Sequence, residues 1–270
     1  MSKKKIAFAV NQTKAGAVEA ESFLRTAAGE IGLEVVEAGS ADVIVALGGD
    51  GTILHAAHGF PGRTLLGLNL GGLGFLASVE RKDFRRALEM LAEGRYKVSR
   101  RTMLKLSKGG VESAALNDVV LRSAAGHAAV VDLSVDGAPA TRYHADGLVV
   151  ATPTGSTAYS LSAGGPVLMP DSRSFVVTPV CPHALGARAL VVPDTCRMTL
   201  SNRPRLGGVE QRVAVCADGE ELFGLAADEQ VEICKAEECV AFAELEGYDP
   251  YEVLSRKLGW RGSSLAEGER

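Results

Sequence analysis

The stretch Gly48-Gly49-Asp50-Gly51-Thr52 constrains this chain more than any other part of its sequence. The apolar run 42–47 leads into it, and a helix-like stretch, 53–58, follows it. A strand, a glycine turn and a helix N-terminus in this order form a site for anions. The glycines let a phosphate approach the backbone, and the free N–H groups of the first helical turn favour negative charge. The spacing is not GxGxxG, so it does not support a standard Rossmann cofactor site.

Asp50 is an unusual residue for an anion site. A carboxylate at this position can hold Mg²⁺ against phosphates or accept a proton from an attacking hydroxyl. The alternative is structural, with Asp50 as the cap of the helix after a tight turn. The five residues by themselves leave both interpretations open.

The composition sets the class of protein. With 270 residues, of which 46% are hydrophobic, the chain has room for one or two domains with a substantial core. No apolar run reaches the about 18 residues of a membrane span, and a net charge of −4 argues against bulk binding to nucleic acid. Five scattered cysteines without CxxC spacing indicate reduced thiols. We therefore expect a cytoplasmic protein without membrane or nucleic-acid partners.

The first part of the chain has an α/β pattern. Strands are predicted over 5–10, 33–36, 42–47 and 63–70, and helices over about 18–31 and 83–93. In the first helix, the apolar positions Val18, Phe23, Ala27 and Ile31 follow a roughly helical period. Alternating strands and helices predict a mostly parallel sheet, whose ligands bind at the C-terminal ends of the strands. Both the first glycine turn and a second one, 71–75, lie at such ends.

Beyond residue 98 the pattern changes to short β-rich runs. They cover 103–106, 116–121, 130–135, 148–151, 175–180, 198–201, 211–215 and 230–235. Asp136-Gly137 and Asp218-Gly219 are turn signals between them. The sequence therefore predicts an α/β domain over 1–98 and a mostly antiparallel all-β domain over 99–240. A final segment, 241–270, is expected to return to the first domain with a helix over 251–258.

Two further stretches carry polar groups. Asn117-Asp118 is interpreted as a clamp on a sugar diol or, alternatively, as a turn between strands. Adjacent strand residues point to opposite faces unless a bulge intervenes. The segment 146–166 is crowded with hydroxyls and small residues, which present many donors and acceptors. Within it, Tyr159 offers a flat face for a base.

Together these stretches resemble the bacterial NAD kinase family. The resemblance rests on four blocks in the right order: the GGDGT turn, the Asn-Asp pair, the loop 152–166, and 179–193. The second glycine turn and the residues 257–260 also fit. GGDGT alone is shared with phosphofructokinases and lipid kinases, whereas the long loop is highly specific.

The resemblance implies a reaction and an assembly. The γ-phosphoryl of ATP, or of another donor, would pass to the adenosine-ribose 2′-hydroxyl of NAD to give NADP. Mg²⁺ or another divalent metal would neutralise the triphosphate, and no metal-ligating residue is expected in the chain itself. The family's fold agrees with the pattern above, and its members form homodimers or homotetramers largely through the β domain.

The resemblance also assigns roles to matching residues. Asp50 would orient or deprotonate the hydroxyl, while the glycines of the turn make room for phosphates. Asn117 and Asp118 would hold the ribose hydroxyls, and Asp146 the nicotinamide end. The full set of expected binding residues is Gly48, Gly49, Gly51, Thr52, Phe75, Asn117, Asp118, His144, Asp146, Thr154, Thr157, Ala158, Tyr159 and Ser162, with Phe75, Thr157 and Tyr159 at the adenine.

His144 is a departure from the family pattern. Members that strictly refuse NADH tend to carry Arg at this position, near the nicotinamide end. Histidine is smaller and mostly neutral near pH 7.5, so we expect use of NADH at a measurable fraction of the NAD rate. The alternative is a surface histidine in a loop before a strand. Ala184 and Gly186 also depart from the pattern, which we interpret as a change in packing.

Two other functions fit the sequence less well. A GGDGT kinase that acts on a sugar phosphate or a lipid fits less well, because of the hydroxyl-rich loop and the Asn-Asp pair. A non-catalytic NAD- or NADP-binding protein fits less well because it would gain nothing from a carboxylate beside the phosphates. The preferred donor, feedback by NADPH and the choice between dimer and tetramer do not follow from the sequence.

Overall fold

A computed structural model of the chain describes residues 3–72, 74–77, 79–123, 128–204 and 212–260. Leu73 of the second glycine turn, Gln211 at the start of a predicted strand, and the tail after Trp260 lie outside the described residues. The chain forms two units. The first consists of residues 1–100 and 240–270, and the second of residues 101–239.

The elements follow one another in this order. Residues 3–100 contain β1 (Lys5–Val10), α1 (Ala17–Ile31), β2 (Glu34–Val35), β3 (Val43–Gly48), α2 (Asp50–Gly59), β4 (Thr64–Asn69), β5 (Val79–Glu80), α3 (Phe84–Ala92) and the start of β6 (Tyr96–Lys108). Residues 101–239 contain β7 (Val111–Ala115), β8 (Asp118–Ser123), β9 (Ala129–Val135), β10 (Ala138–Ala145), β11 (Gly147–Ala151), α4 (Tyr159–Ser162), β12 (Ser174–Val180), β13 (Leu190–Pro193), β14 (Met198–Arg203), β15 (Val213–Ala217), β16 (Glu220–Leu225) and most of β17 (Gln230–Leu245). The helix α5 (Pro250–Leu258) comes last.

The first unit is built on a parallel sheet in the order β2-β1-β3-β4, with the end of β17 and the short β5 beside β4. All six residues of β3 are buried, as expected for a central strand covered on both faces. The neighbouring β1 and β4 run parallel to it. Their C-terminal ends therefore meet at one edge of the sheet, and the predicted glycine turns follow β3 and β4 at that edge.

The first helix differs in part from the prediction. It ends before Gly32, which has the left-handed conformation (φ +89°) that favours glycine at this position. Two of the apolar positions that indicated the helical period do not face the core, because Val18 and Phe23 are 63% and 50% exposed. The helix packs instead through Leu24 and its alanines, since the small residues let it lie close to the sheet and to α3.

The second unit consists of antiparallel strands in two sheets. Strands β10-β9-β14 pair with the first part of β17, and β13-β12-β11-β8-β15-β16 form the other sheet. Alternate residues of each strand point into a shared core, for example Val119 and Leu121 of β8 and Leu148 and Val150 of β11. The opposite face of β8 and β11 carries a smaller apolar cluster around Val149.

Two predicted turns are confirmed, and they explain two strands that the sequence pattern missed. Asp136 and Gly137 (φ 49° and 80°) turn the chain from β9 to β10, and Asp218 and Gly219 (φ 48° and 90°) turn it from β15 to β16. Both β10 and β16 begin with exposed residues and lack an apolar alternation there. Among the described residues, no helix has the length and apolar character needed to cross a membrane.

Candidate active site

The first glycine turn joins β3 to α2, with Gly49 as the residue before the helix. A Cβ on Gly48 would lie 2.1 Å from Thr52 Oγ1, so packing inside the turn requires glycine there. No described atom other than Lys14 Nζ lies within 4 Å of a Cβ built on Gly49, and no described atom lies that near one built on Gly51. The turn therefore leaves open space beside the N-terminus of α2, where an anion is favoured.

Asp50 ties this turn to the second one. The backbone N–H groups of three consecutive residues, 75–77, donate to its carboxylate at 2.9, 3.0 and 3.0 Å. Oδ1 accepts two of these bonds and Oδ2 accepts one. A Cβ on Gly74 would lie 2.2 Å from Asp50 Oδ1, so the second turn needs glycine at that position. The alternative of Asp50 as the helix cap is wrong, because Gly49 is the residue before α2 and the Asp50 carboxylate binds the second turn instead.

Asn69, at the end of β4, shapes the second turn from within. Its buried amide donates to the carbonyls of Gly72 and Ala77 at 2.6 and 3.2 Å and accepts from the N–H of Gly71 at 2.8 Å. The N–H of Leu70 donates to the carbonyl of Gly48 at 2.9 Å. The two turns are thus joined by backbone and side-chain hydrogen bonds.

Lys14 is a candidate site residue that the sequence analysis missed. It lies in the loop after β1, and its Nζ is 3.7 Å from the position of a Cβ on Gly49. The side chain is exposed and forms no hydrogen bond or ion pair with the described part of the chain. An unpaired ammonium group beside an anion-favouring turn is suited to bind a phosphate. No motif pointed to it, because its loop is distant from the turn in sequence and adjacent only through the pairing of β1 with β3.

Phe75 has a second neighbour that the sequence did not reveal. Its ring is half-buried, and the Nζ of Lys257 on α5 lies 5.2 Å from the ring centroid. This distance is within the range of cation–π attraction. The residues 257–260 belonged to the family resemblance, and the structure gives Lys257 a position beside the expected adenine contact.

In the second unit, Asn117 and Asp118 are positioned by Asp218. The N–H groups of residues 116–118 donate to the Asp218 carboxylate at 2.7, 2.7 and 3.2 Å. The chain bends at residues 116 and 117, so Asn117 lies before β8, and Asp118 is the first residue of that strand. Neither the Asn117 amide nor the Asp118 carboxyl forms a hydrogen bond with another described residue.

The environment of Asp118 changes its titration. The residue is only 6% exposed. Burial, together with the negative charge of Asp218, raises the pKa of the Asp118 carboxyl to about 7. A buried carboxyl that titrates near neutral pH is a frequent feature of functional sites.

The hydroxyl-rich loop divides into two groups of residues. Thr152, Ser156 and Ser160 are fully buried, and their hydroxyls bind within the protein, to Leu116 O, Pro153 O and Thr178 Oγ1 at 2.6, 2.6 and 2.8 Å. They stabilise the loop and are not free for a ligand. Of the expected binding residues, Thr154 is buried, Thr157 and Ala158 are half-buried, and Tyr159 and Ser162 are exposed.

Comparison with known proteins assigns the chain to a family. The family model for the ATP-NAD kinase N-terminal domain matches residues 8–96, and the model for the ATP-NAD kinase C-terminal domain matches residues 116–245. The chain belongs to the NAD kinase family.

Individual relatives agree with this assignment. The NAD kinases of Syntrophotalea carbinolica and Geotalea daltonii are 42% and 41% identical over 231 and 229 residues, which cover 82% of this chain and 79% of each relative. Yeast NADH kinase complexed with NADH has a TM-score of 0.85 at 25% identity, covering 97% of this chain and 89% of that one. An NAD kinase from Archaeoglobus fulgidus in complex with ATP has a TM-score of 0.78 at 26% identity, covering 97% of this chain and 100% of that one.

Within this NAD kinase fold, His144 lies at the end of β10, and not in a loop. Its ring is 4.6 Å from that of His183, and its backbone carbonyl accepts from the His183 N–H at 2.8 Å. Nε2 of His144 is buried and has no hydrogen-bond partner among the described residues. Asp146 follows with its N–H bound to Val180 O at 3.0 Å and its side chain exposed.

The described residues place the expected site residues in two groups. The first unit holds the two glycine turns, Asp50 and Phe75, and the second holds the Asn117-Asp118 pair, the hydroxyl-rich loop and His144 with Asp146. Across the described ranges, no group of three or more His, Cys, Asp or Glu side chains is arranged to hold a metal ion.

The first prediction concerns the support of Asn117. A Cβ on Gly155 would lie 2.0 Å from the Asn117 carbonyl oxygen, so Gly155→Ala must displace the backbone of the pair. We expect this variant to lose about 1–3 kcal/mol of unfolding free energy, the usual range for overpacking, and to bind NAD more weakly. Urea denaturation and calorimetry measure the two effects.

Gly186→Ala is the matched control for Gly155→Ala. No described atom lies within 4 Å of a Cβ at Gly186, and its φ is not in the left-handed range. Its stability and NAD affinity should remain those of the wild type. Equal behaviour of the two variants would show that the backbone of Asn117 is not held by contact with Gly155.

Proposed function

We propose that this chain is a kinase that transfers the γ-phosphoryl of ATP to the adenosine-ribose 2′-hydroxyl of NAD. The proposal rests on the two family matches, because residues 8–96 and 116–245 include every site residue expected from the sequence. The geometry supports it in two ways. The first turn leaves open space for phosphates beside Lys14, and the Asn117-Asp118 pair presents free polar groups to a ribose diol.

A divalent metal fits this proposal as a companion of the triphosphate. Mg²⁺ favours oxygen ligands and is commonly bound by one or two carboxylates together with substrate phosphates. Asp50 is suited to this use, because its Oδ2 accepts only one N–H and retains a lone pair. Bound Mg²⁺ would neutralise charge on the phosphates, while the chain's own residues position the two substrates.

Membership of the NAD kinase family also supports a proposal about the assembly and location of the protein. We propose a cytoplasmic homodimer or homotetramer formed through the second unit. Strand β13 is an edge strand of its sheet and exposes Leu190 and Val191, an arrangement that favours pairing with another chain. All five cysteines are free thiols, as in reducing compartments. Light scattering of the purified protein measures the number of subunits.

A coupled assay tests the activity itself. The purified protein is given NAD, ATP and Mg²⁺, and NADP is followed with an NADP-specific dehydrogenase. Replacing ATP by other triphosphates or by polyphosphate identifies the donor. Phosphorylation of a sugar phosphate or a lipid in place of NAD would favour the other type of GGDGT kinase. NAD binding without any turnover would favour a binding protein.

A prediction for Asp50 follows from its three hydrogen bonds. Asp50→Asn keeps the shape but leaves one acceptor oxygen, so at least one N–H of residues 75–77 faces an amide donor. We expect kcat to fall by roughly 10²- to 10⁴-fold, the range of misplaced or missing catalytic groups, with a much smaller change in NAD affinity. Steady-state kinetics and calorimetry measure these quantities.

Asp42→Asn is the control for Asp50→Asn. Asp42 also accepts a backbone N–H, that of Lys5 at 2.8 Å, but at the start of β1. Its activity should equal that of the wild type. Full activity in Asp50→Asn would show that neither the charge nor the hydrogen bonds of Asp50 matter for turnover.

Lys14 gives a prediction about the phosphoryl donor. A hydrogen bond to a charged group contributes about 1.5–3 kcal/mol, so Lys14→Met should raise the KM for ATP by about 10- to 100-fold. The KM for NAD should change little. Lys82→Met removes a similarly exposed ammonium group, paired with Glu80 at 3.2 Å, and serves as the control. An unchanged KM for ATP in Lys14→Met would remove Lys14 from the phosphate site.

His144 gives a prediction about the dinucleotide. We propose that the enzyme uses NADH at a measurable fraction of its NAD rate, and that His144→Arg reduces NADH use more than NAD use. The reason is that family members that strictly refuse NADH tend to carry Arg at this position. The measurement is kcat/KM for both dinucleotides, with Thr141→Arg as an exposed control on the same strand. The same NADH-to-NAD ratio in His144→Arg and wild type would contradict the role of His144.

A further inference from the structure

The exposed side chain of Lys257 lies over the ring of Phe75. Its Nζ is 5.2 Å from the ring centroid, and it forms no hydrogen bond or ion pair with the described part of the chain. Ordering a lysine side chain costs conformational entropy, so its place over the ring needs a compensating attraction. The attraction between an ammonium group and the face of an aromatic ring supplies it.

The helix that carries Lys257 is anchored beside the second glycine turn. Arg256, the preceding residue, donates from Nη2 to Oε1 of Glu80 on β5, the strand that follows this turn. The helix α5 begins after Asp249, whose side chain accepts a backbone N–H at 2.8 Å, and it buries Leu254. These contacts hold the backbone of Lys257 in place, although its own side chain is exposed.

Phe75 is fixed through its backbone. Its N–H donates to Asp50 Oδ2 at 2.9 Å, and those of residues 76 and 77 donate to Oδ1 at 3.0 Å. These bonds fix the direction of the chain but do not set the rotamer of the half-buried ring. A cation over one face of the ring favours the rotamer in which that contact is made.

The location of Phe75 suits a nucleotide. The residue is one hydrogen bond away from Asp50, the first residue of α2, at the turn that leaves open space for an anion. It lies at the edge of the parallel sheet where the C-terminal ends of the strands meet, which is where ligands of such sheets bind. A half-buried aromatic ring beside an anion-favouring turn offers a flat apolar surface to a base whose nucleotide carries phosphates.

We infer that Lys257 is a positioning residue for the dinucleotide, because it holds the ring of Phe75 in the orientation that contacts the adenine base. The inference rests on the proposed kinase function and on the expected contact of Phe75 with adenine. Without Lys257 the ring occupies the binding orientation for a smaller fraction of the time. The apparent affinity for NAD falls by the same factor.

The first test compares Lys257→Met with the wild type, since Met keeps a long apolar side chain and removes the charge. The KM for NAD, and the Kd for NAD from calorimetry without ATP, should rise by about 2- to 5-fold, the factor that an exposed cation–π contact contributes. The kcat and the KM for ATP should remain those of the wild type. Lys257→Arg should restore the wild-type Kd, because a guanidinium group also stacks on aromatic rings.

A double-mutant cycle separates this role from direct binding of a phosphate. Phe75→Leu should raise the Kd for NAD by about 5- to 100-fold, since contact between a base and an aromatic ring contributes about 1–3 kcal/mol. If Lys257 acts through the ring, adding Lys257→Met to Phe75→Leu causes no further loss. Two effects that multiply would show that Lys257 acts independently of Phe75.

Lys4→Met is the matched control. Lys4 makes the same kind of contact, with its Nζ 4.4 Å from the centroid of the Tyr96 ring. It lies at the start of β1, at the opposite end of the parallel sheet from the glycine turns. Lys4→Met should leave the Kd for NAD at the wild-type value. Because Lys257 is exposed, Lys257→Met should melt at the wild-type temperature.

The outcomes distinguish the inference from the function on which it rests. A wild type that binds NAD but forms no NADP rejects the kinase, while the cycle still tests the contact between Lys257 and Phe75. An unchanged Kd for NAD in Phe75→Leu, or in Lys257→Met, overturns the inference. A higher KM for ATP in Lys257→Met, or effects that multiply in the double variant, would make Lys257 a phosphate-binding residue and overturn it as well.

Discussion

One type of interaction recurs in both units of the chain: an aspartate carboxylate that accepts the N–H groups of three consecutive residues. Asp50 binds residues 75–77, and Asp218 binds residues 116–118. Hydrogen bonds to a charged group are stronger than neutral ones, and three at one carboxylate fix the direction of the chain. Each of the segments that carry the expected contacts, Phe75 and the Asn117-Asp118 pair, is held by such a carboxylate.

This arrangement divides the acidic residues by task. The carboxylates of Asp50 and Asp218 are occupied by backbone donors, whereas that of Asp118 is buried and free. A site that must recognise hydroxyl groups needs acceptors that are not already used by the protein. The segment that Asp218 holds carries two side chains without hydrogen bonds to the described residues, those of Asn117 and Asp118.

The sequence predicted the parts of the site that depend on local patterns. The strand before Gly48, the helix after it and the turn at Asp218-Gly219 follow from short stretches, and the structure confirms them. The sequence did not predict that Asp218 holds residues 116–118, because a hydrogen bond between residues about 100 positions apart has no local signature. Lys14 and Lys257 were missed for the same reason. The many hydroxyl groups of the loop 152–166 indicated ligand binding, but three of them, on Thr152, Ser156 and Ser160, form hydrogen bonds within the protein.

The free carboxyl of Asp118 shows why such a site cannot be optimised for stability alone. An isoelectronic amide or an apolar residue at this position would remove a buried charge that destabilises the protein above neutral pH. The neighbouring Asp218 increases that cost, although a neutral side chain there could also have accepted a backbone N–H. The apolar, buried residues 119–121 of β8 and the buried strand β11 hold Asp118 in this costly environment.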